Sequence, residues 1–181
     1  MPSLWDPLSS LAPVGAIPGM RAAVLVPIYE EQGALRLIMT RRPDHMRNHP
    51  GDVVFPGGMI EPGDDGPTAA AIRETTEEIG LPPKNVLEIL GALDPVHTRS
   101  ATMRIVPVVA RVERPAELVP HPGEVAAIIE PRIVDLLRDE DWRTSAWGGR
   151  TMWFYEFPDG VLWGATAHIV RMLLEHFRAV P

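Results

Sequence analysis

Residues 67–80 constrain this chain more than any other stretch, because a helix start and a helix stop bracket a run that gathers three carboxylates on one side. Pro67 suits the first helical position, where its missing N–H is no loss, and Gly80 suits the left-handed residue that closes a helix. At 100° per residue with Glu74 at zero, Glu78 falls at about +40° and Glu77 at about −60°. Ala69, Ile72, Thr76 and Ile79 gather on the opposite side. The expectation is an apolar stripe buried on a sheet and an acidic face looking outward. Like charges at these spacings repel by about a few tenths of a kcal/mol per pair, and Arg73, four residues before Glu77, is the cation available to relieve it.

An acidic helix face is ordinarily a solvated surface, but its context here is unusual. Phe55-Pro56-Gly57-Gly58 precedes it, followed by a loop carrying Glu61, Asp64 and Asp65. Glycine backbone lets a metal or phosphate approach closely, and oxygen-only donors suit hard cations such as magnesium or manganese. The 181 residues contain no cysteine, which excludes a disulfide framework, a thiolate zinc site and a cysteine nucleophile, and fits a reducing compartment. Seventeen basic against twenty-four acidic residues give a net charge of −7, which argues against a nucleic acid partner. No apolar run reaches the roughly 20 residues of a membrane helix, and the first residues lack a basic region followed by an apolar core. A cytoplasmic enzyme without a membrane partner is the expectation.

Residues 1–19 are rich in proline, serine and glycine and read as an irregular arm, with one domain over 20–181. Strands are expected at Arg21 to Tyr29 and Ala34 to Thr40, joined by a hairpin at Glu30 to Gly33. More follow at Val86 to Leu93, Arg104 to Val112, Val125 to Ile129 and Thr151 to Phe157, while Asp139 to Arg150 reads as a loop. Ala165 to Ala179 has the apolar spacing of a helix packed on a sheet. These elements predict an α/β protein with a mixed sheet and helices against it. Trp142, Trp147, Trp153 and Trp163 are assigned to the core rather than to stacking on a base.

Gly58 to Leu81, GMIEPGDDGPTAAAIRETTEEIGL, resembles the Nudix box, G-x5-E-x7-R-E-U-x-E-E-x-G-U with U apolar. Arg73-Glu74, Glu77-Glu78, Gly80 and Leu81 match its spacing. Two positions depart: Asp64 stands where the pattern has glutamate, with one extra residue before Arg73, and Thr75 occupies an apolar position. Ile38 to Gly58, IMTRRPDHMRNHPGDVVFPGG, resembles the additional motif of the Nudix coenzyme A pyrophosphatases, with Thr40, Arg42, Arg47, Gly51 and Phe55 to Gly58 in register and Pro43 departing. That subfamily resembles this chain in its aspartate and longer spacing as well.

The resemblance implies the Nudix fold, an α/β/α sandwich with a mixed β-sheet. It also implies magnesium-dependent, or manganese-dependent, hydrolysis of coenzyme A or acyl-CoA to 3′,5′-ADP and (acyl-)phosphopantetheine. Another nucleoside diphosphate derivative, such as ADP-ribose, NADH or a dinucleotide, and a non-catalytic ligand sensor of the same fold stay as alternatives. Glu74 and Glu78 would hold the metal, with Glu77 and the Gly57 carbonyl as further ligands. Arg73 would orient Glu74 or Glu77, and Arg73 and Glu77 also stand among the catalytic candidates. Glu124, at the turn His121-Pro122-Gly123, is the candidate general base, with a metal ligand and a plain turn carboxylate as the other readings. Arg42, Arg47 and the Gly58 backbone are the candidate substrate contacts, and a homodimer is left open.

Overall fold

Two strands paired in parallel form the spine of the molecule, and they are distant in sequence. The first, β1 (Met20–Glu31), turns into β2 (Ala34–Leu37), followed by β3 (Met39–Arg41), β4 (Val53–Val54) and β5 (Gly57–Met59), then helix α1 (Gly66–Ile79). After it come β6 (Val86–Ala92), β7 (Val96–His97), β8 (Arg104–Val112) and β9 (Ala127–Ile129). The single turn α2 (Ile133–Leu136), the meander β10 (Trp142–Trp147), β11 (Arg150–Phe157) and β12 (Gly160–Trp163), and helix α3 (Gly164–Arg178) complete the chain. This computed structural model describes residues 3–15, 18–47, 49–97 and 103–179.

The main sheet runs β2-β1-β8-β6, with β5 on β1 and β7 on β8. β1 and β8 are parallel and the other pairs antiparallel, so the sheet is mixed. Strands central to a doubly covered sheet bury both faces. Accordingly, Ala23, Leu25 and Tyr29 of β1 join the cluster that includes Ala70, Ala71 and Ile79 of α1, while Val26 and Ile28 join the one that includes Ile169, Val170, Leu173 and Leu174 of α3. The expected α/β/α sandwich is therefore the observed one. Two small antiparallel sheets, β4-β3-β9 and β10-β11-β12, sit beside it, and a parallel bridge between Asp52 and Val161 joins them.

Four expectations are corrected. The stretch from Ala34 to Thr40 is two strands, because the chain leaves the main sheet after Leu37 to pair Met39 to Arg41 with β9; the apolar triplet Leu37-Ile38-Met39 at the switch has no alternation to reveal it. β9 starts at Ala127 rather than Val125. Residues 142–147, expected as loop, are β10, which only Trp142 anchors in the core while the rest of the strand is exposed. Finally, α1 is rotated from its expected orientation: it buries Pro67, Ala70, Ala71, Thr75 and Ile79 instead of Ala69, Ile72 and Thr76. Thr75 can be buried because its hydroxyl donates to the Ala71 carbonyl at 2.6 Å. In the segment before β1, Leu8 is 1% exposed within the α3-side cluster, and the Ala92 N–H donates to the Ala12 carbonyl at 2.8 Å.

Candidate active site

The rotation of α1 turns Glu74 and Glu78 toward the sheet rather than outward. The Glu74 side chain is 16% exposed against 60% for Glu77. Glycine makes this possible at β5. A Cβ on Gly58 would stand 2.5 Å from Glu74 Cδ, and one on Gly57 would stand 2.4 Å from the Ala23 carbonyl oxygen. No larger residue fits between the carboxylates and β1 without a shift. The Gly57 N–H donates to the Glu78 carboxylate.

Arg73 holds the acidic loop against the helix. Its Nε and one terminal nitrogen each donate to Asp64 at 3.0 Å, and that nitrogen also donates to the Met59 carbonyl at 3.0 Å. The other terminal nitrogen reaches Glu74 Oε1 at 2.9 Å and Glu77 at 3.4 Å. Asp64 is only 7% exposed and also accepts the Glu61 N–H at 2.8 Å. The guanidinium holds the Asp64 carboxyl below the usual carboxylate range, mainly through these hydrogen bonds. Arg73 thus orients other groups. Asp64, absent from the expected site set, is its bidentate partner, and the signal was the aspartate itself, sitting at the pattern's acidic position.

On the other side, the chain after β8 docks on the end of α1. The Val119 N–H donates to the Ile79 carbonyl at 2.9 Å and the His121 N–H to the Glu78 carbonyl at 2.7 Å. The turn that follows, closed by Glu124 N–H to the His121 carbonyl at 3.0 Å, carries Glu124 toward Glu78. Between them lies a cavity of about 160 Å³ lined by Arg42, Phe55, Gly57, Glu78 and Glu124, and also by Ala165 and Thr166 of the first turn of α3. The last two were absent from the expected site set. Of the expected site residues, Arg42, Gly57, Glu78 and Glu124 meet at this cavity. Arg73, Glu74 and Glu77 stand beside it on the loop side, with Gly58 against Glu74, and Arg47 is exposed on the turn before β4. Trp142 and Trp153 pack in or on the core as expected, but Trp147 is 60% exposed and Trp163 belongs to neither core cluster.

Burial, with the charges of Glu124 and then Glu74 nearby, pushes the Glu78 carboxyl up to about 8, offset in part by the Gly57 N–H and by Arg42. Such a group accepts a positive charge readily. Among the described residues no three acidic or histidine side chains converge tightly enough to enclose a metal by themselves.

The NUDIX domain profile matches residues 19–147. A protein of Enterobacter sp. (strain 638), named as an uncharacterized Nudix hydrolase NudL, is 37% identical over 161 residues, 84% of this chain and 80% of its own length. Nudix hydrolase 15, mitochondrial, of Arabidopsis thaliana is 33% identical over 176 residues, which span 89% of this chain and 61% of the plant protein. Among solved structures, the Nudix hydrolase RenU of M. smegmatis superimposes with a TM-score of 0.60 over 90% of this chain and 88% of its own at 19% identity, a likeness of fold. Box, fold and relatives agree, and the chain belongs to the Nudix family of hydrolases, which act on pyrophosphate bonds.

Proposed function

We propose that this chain hydrolyses the pyrophosphate linkage of coenzyme A or its thioesters, releasing 3′,5′-ADP and (acyl-)phosphopantetheine, with magnesium as its cofactor and manganese as a substitute. The observation that carries the reading is that Arg42, which belongs to the coenzyme A-type motif, lines the same cavity as Glu78 and Glu124. Glu78 and Glu74 are the proposed metal ligands, with Glu77 and the Gly57 carbonyl completing the protein's share. A divalent cation held there supplies neutralisation of the diphosphate and acidification of a bound water. Arg73 fixes Glu74, and the Gly57 N–H fixes Glu78, so that both carboxylates meet the charge in one orientation. Glu124, on the opposite wall, takes the proton of the attacking water. Arg42 and, from the turn beyond it, Arg47 hold phosphate groups of the substrate, with the Gly58 backbone beside them. Residues 20–181 act as one domain in this reading, in the cytoplasm.

A substrate panel tests it: coenzyme A, 3′-dephospho-coenzyme A, ADP-ribose and NADH with magnesium, products identified by mass. Coenzyme A is expected to be cleaved to 3′,5′-ADP with the highest kcat/KM. Preferred cleavage of ADP-ribose or NADH would reassign the substrate. Glu124→Gln is expected to lower kcat by at least ~100-fold while leaving the magnesium concentration for half-maximal rate unchanged; a shift in that concentration would make Glu124 a ligand instead.

A further inference from the structure

Resting on the reading of a nucleoside diphosphate substrate, we propose that Trp163, Phe154 and His49 form an aromatic shelf on the rim of the cavity, on which the nucleobase of the substrate stacks. The cavity is about 160 Å³, whereas ligand sites that enclose a drug-sized molecule are about 300–1,000 Å³. It can take a diphosphate but not the nucleoside attached to it. The base must lie outside, on whatever surface the rim offers.

That surface is built from residues the core does not use. On the meander, Tyr155 and Leu162 face inward, and their neighbours Phe154 and Trp163, directly paired across the strands, stand on the outer face. Their rings are nearly parallel, 5° apart with centroids at 6.3 Å. His49 brings a third ring from the turn between β3 and β4, 5.8 Å from Trp163 and tilted by 48°. The imidazole is not loosely placed. Its Nδ1 lies 2.9 Å from Asp52 Oδ2, and His49 holds a left-handed backbone, φ +55°, that a residue with a side chain seldom adopts. In the proposed shelf a flat base lies against these rings, with the imidazole, tilted by 48° to the indole, at its edge.

Position ties the shelf to the chemistry. Trp163 immediately precedes Gly164, Ala165 and Thr166, and the last two line the cavity. The parallel bridge of Val161 with Asp52 sets β12 alongside β4, bringing Trp163 level with Val54, another cavity residue. The turn that carries His49 begins just after Arg42, whose backbone pairs with Gly51 and Asp52 at the far end of that turn. A base on the shelf therefore extends from a diphosphate at Arg42 without crossing the carboxylate side.

Three variants test this: Trp163→Leu, Phe154→Leu and His49→Ala, each checked for an unchanged thermal midpoint. His49 is exposed, so its variant serves if a strand variant fails to fold. Base stacking on an aromatic ring is worth at least about 5-fold in affinity. KM for coenzyme A and the calorimetric Kd of 3′,5′-ADP are both expected to rise at least about 5-fold with kcat retained, while inhibition by inorganic pyrophosphate, which has no base, stays constant. If the wild type cleaves coenzyme A or another nucleoside diphosphate and all folded variants keep its KM and Kd, the shelf is overturned and the functional reading stands. Equal losses for 3′,5′-ADP and pyrophosphate would also overturn it, assigning these rings to the shape of the site. If the wild type cleaves no nucleoside diphosphate, the functional reading falls and the shelf falls with it.

Discussion

Helices α1 and α3 cover opposite faces of one sheet, yet they are made in opposite ways. α3 lays Ile169, Val170, Leu173 and Leu174 into the core, and at about 1.5–3 kcal/mol for each large apolar side chain it stabilises the fold strongly. α1 buries mostly small groups, Ala70, Ala71 and Thr75, with Ile79 its large aliphatic contribution. Small side chains let α1 lie close to β5, and only at that distance do Glu74 and Glu78 reach the glycines there. One helix holds the sheet; the other gives up apolar contact to bring charge to it.

The contrast can be broken from either side. The largest expected effect is on α3, where Leu173→Ala should remove about 2–5 kcal/mol of stability, read by denaturant unfolding, with kcat unchanged wherever the variant is folded. A fall in kcat of the folded variant would mean that α3 shapes the chemistry too. On α1 the signs reverse: Glu78→Gln should cost at least ~100-fold in kcat and leave the protein no less stable. Wild-type kcat at saturating magnesium would remove Glu78 from the site.

The pH dependence sharpens the same point. In metal-free protein the Glu78 carboxyl titrates near 8 when folded and at its ordinary 4.5 when unfolded. The folded state therefore keeps a proton that the unfolded chain has released, so this contribution is full below about pH 4.5 and is lost as pH rises through about 8. The thermal midpoint in a chelating buffer should fall across that window, the fall should flatten in Glu78→Gln, and magnesium should restore the midpoint at the alkaline end. A slope identical in the variant would assign it to other groups. The smallest effect is on the orienting pair: Asp64→Asn should lower kcat about 10-fold and raise the magnesium needed for half-maximal rate, because Arg73 loses its bidentate partner and with it the fixed approach to Glu74. An unchanged magnesium requirement would confine Asp64 to holding the loop.

What could be read in advance follows from which interactions are local. The ends of α1 were legible because Pro67 and Gly80 act within one turn of themselves, and Gly80 does take the left-handed conformation with its N–H on the Thr76 carbonyl at 3.0 Å. The face α1 buries was not, because it depends on glycines in β5 that let carboxylates in and on Thr75 satisfying its own hydroxyl. β10 was missed for a related reason: its polar, exposed run from Arg143 to Ala146 has no apolar alternation, and its sole strong signal was the Gly148-Gly149 turn, both residues at positive φ, that pairs Trp147 with Arg150. Among the candidate site residues, Glu78 and Arg42 were legible through spacing. Asp64 was marked by its place at the pattern's acidic position, though its bidentate hold on Arg73 was not, and Thr166 was not legible, since it waits on the return of α3 to the cavity.

The docking of Val119 and His121 on the last carbonyls of α1 has a consequence for how the molecule opens. The Ile79 and Glu78 carbonyls accept those two amide hydrogens, so the amides of Val119 and His121 exchange with solvent only when the segment lifts from the helix end. The two bonds tie the Glu124 turn to the final turn of α1, so the wall that carries Glu124 is braced on the helix that carries Glu78. A chain whose proposed metal ligand and proposed base sat on independently mobile segments would spend part of its time with one in place and the other absent. Here two backbone hydrogen bonds that carry no chemistry of their own weigh against that half-assembled state.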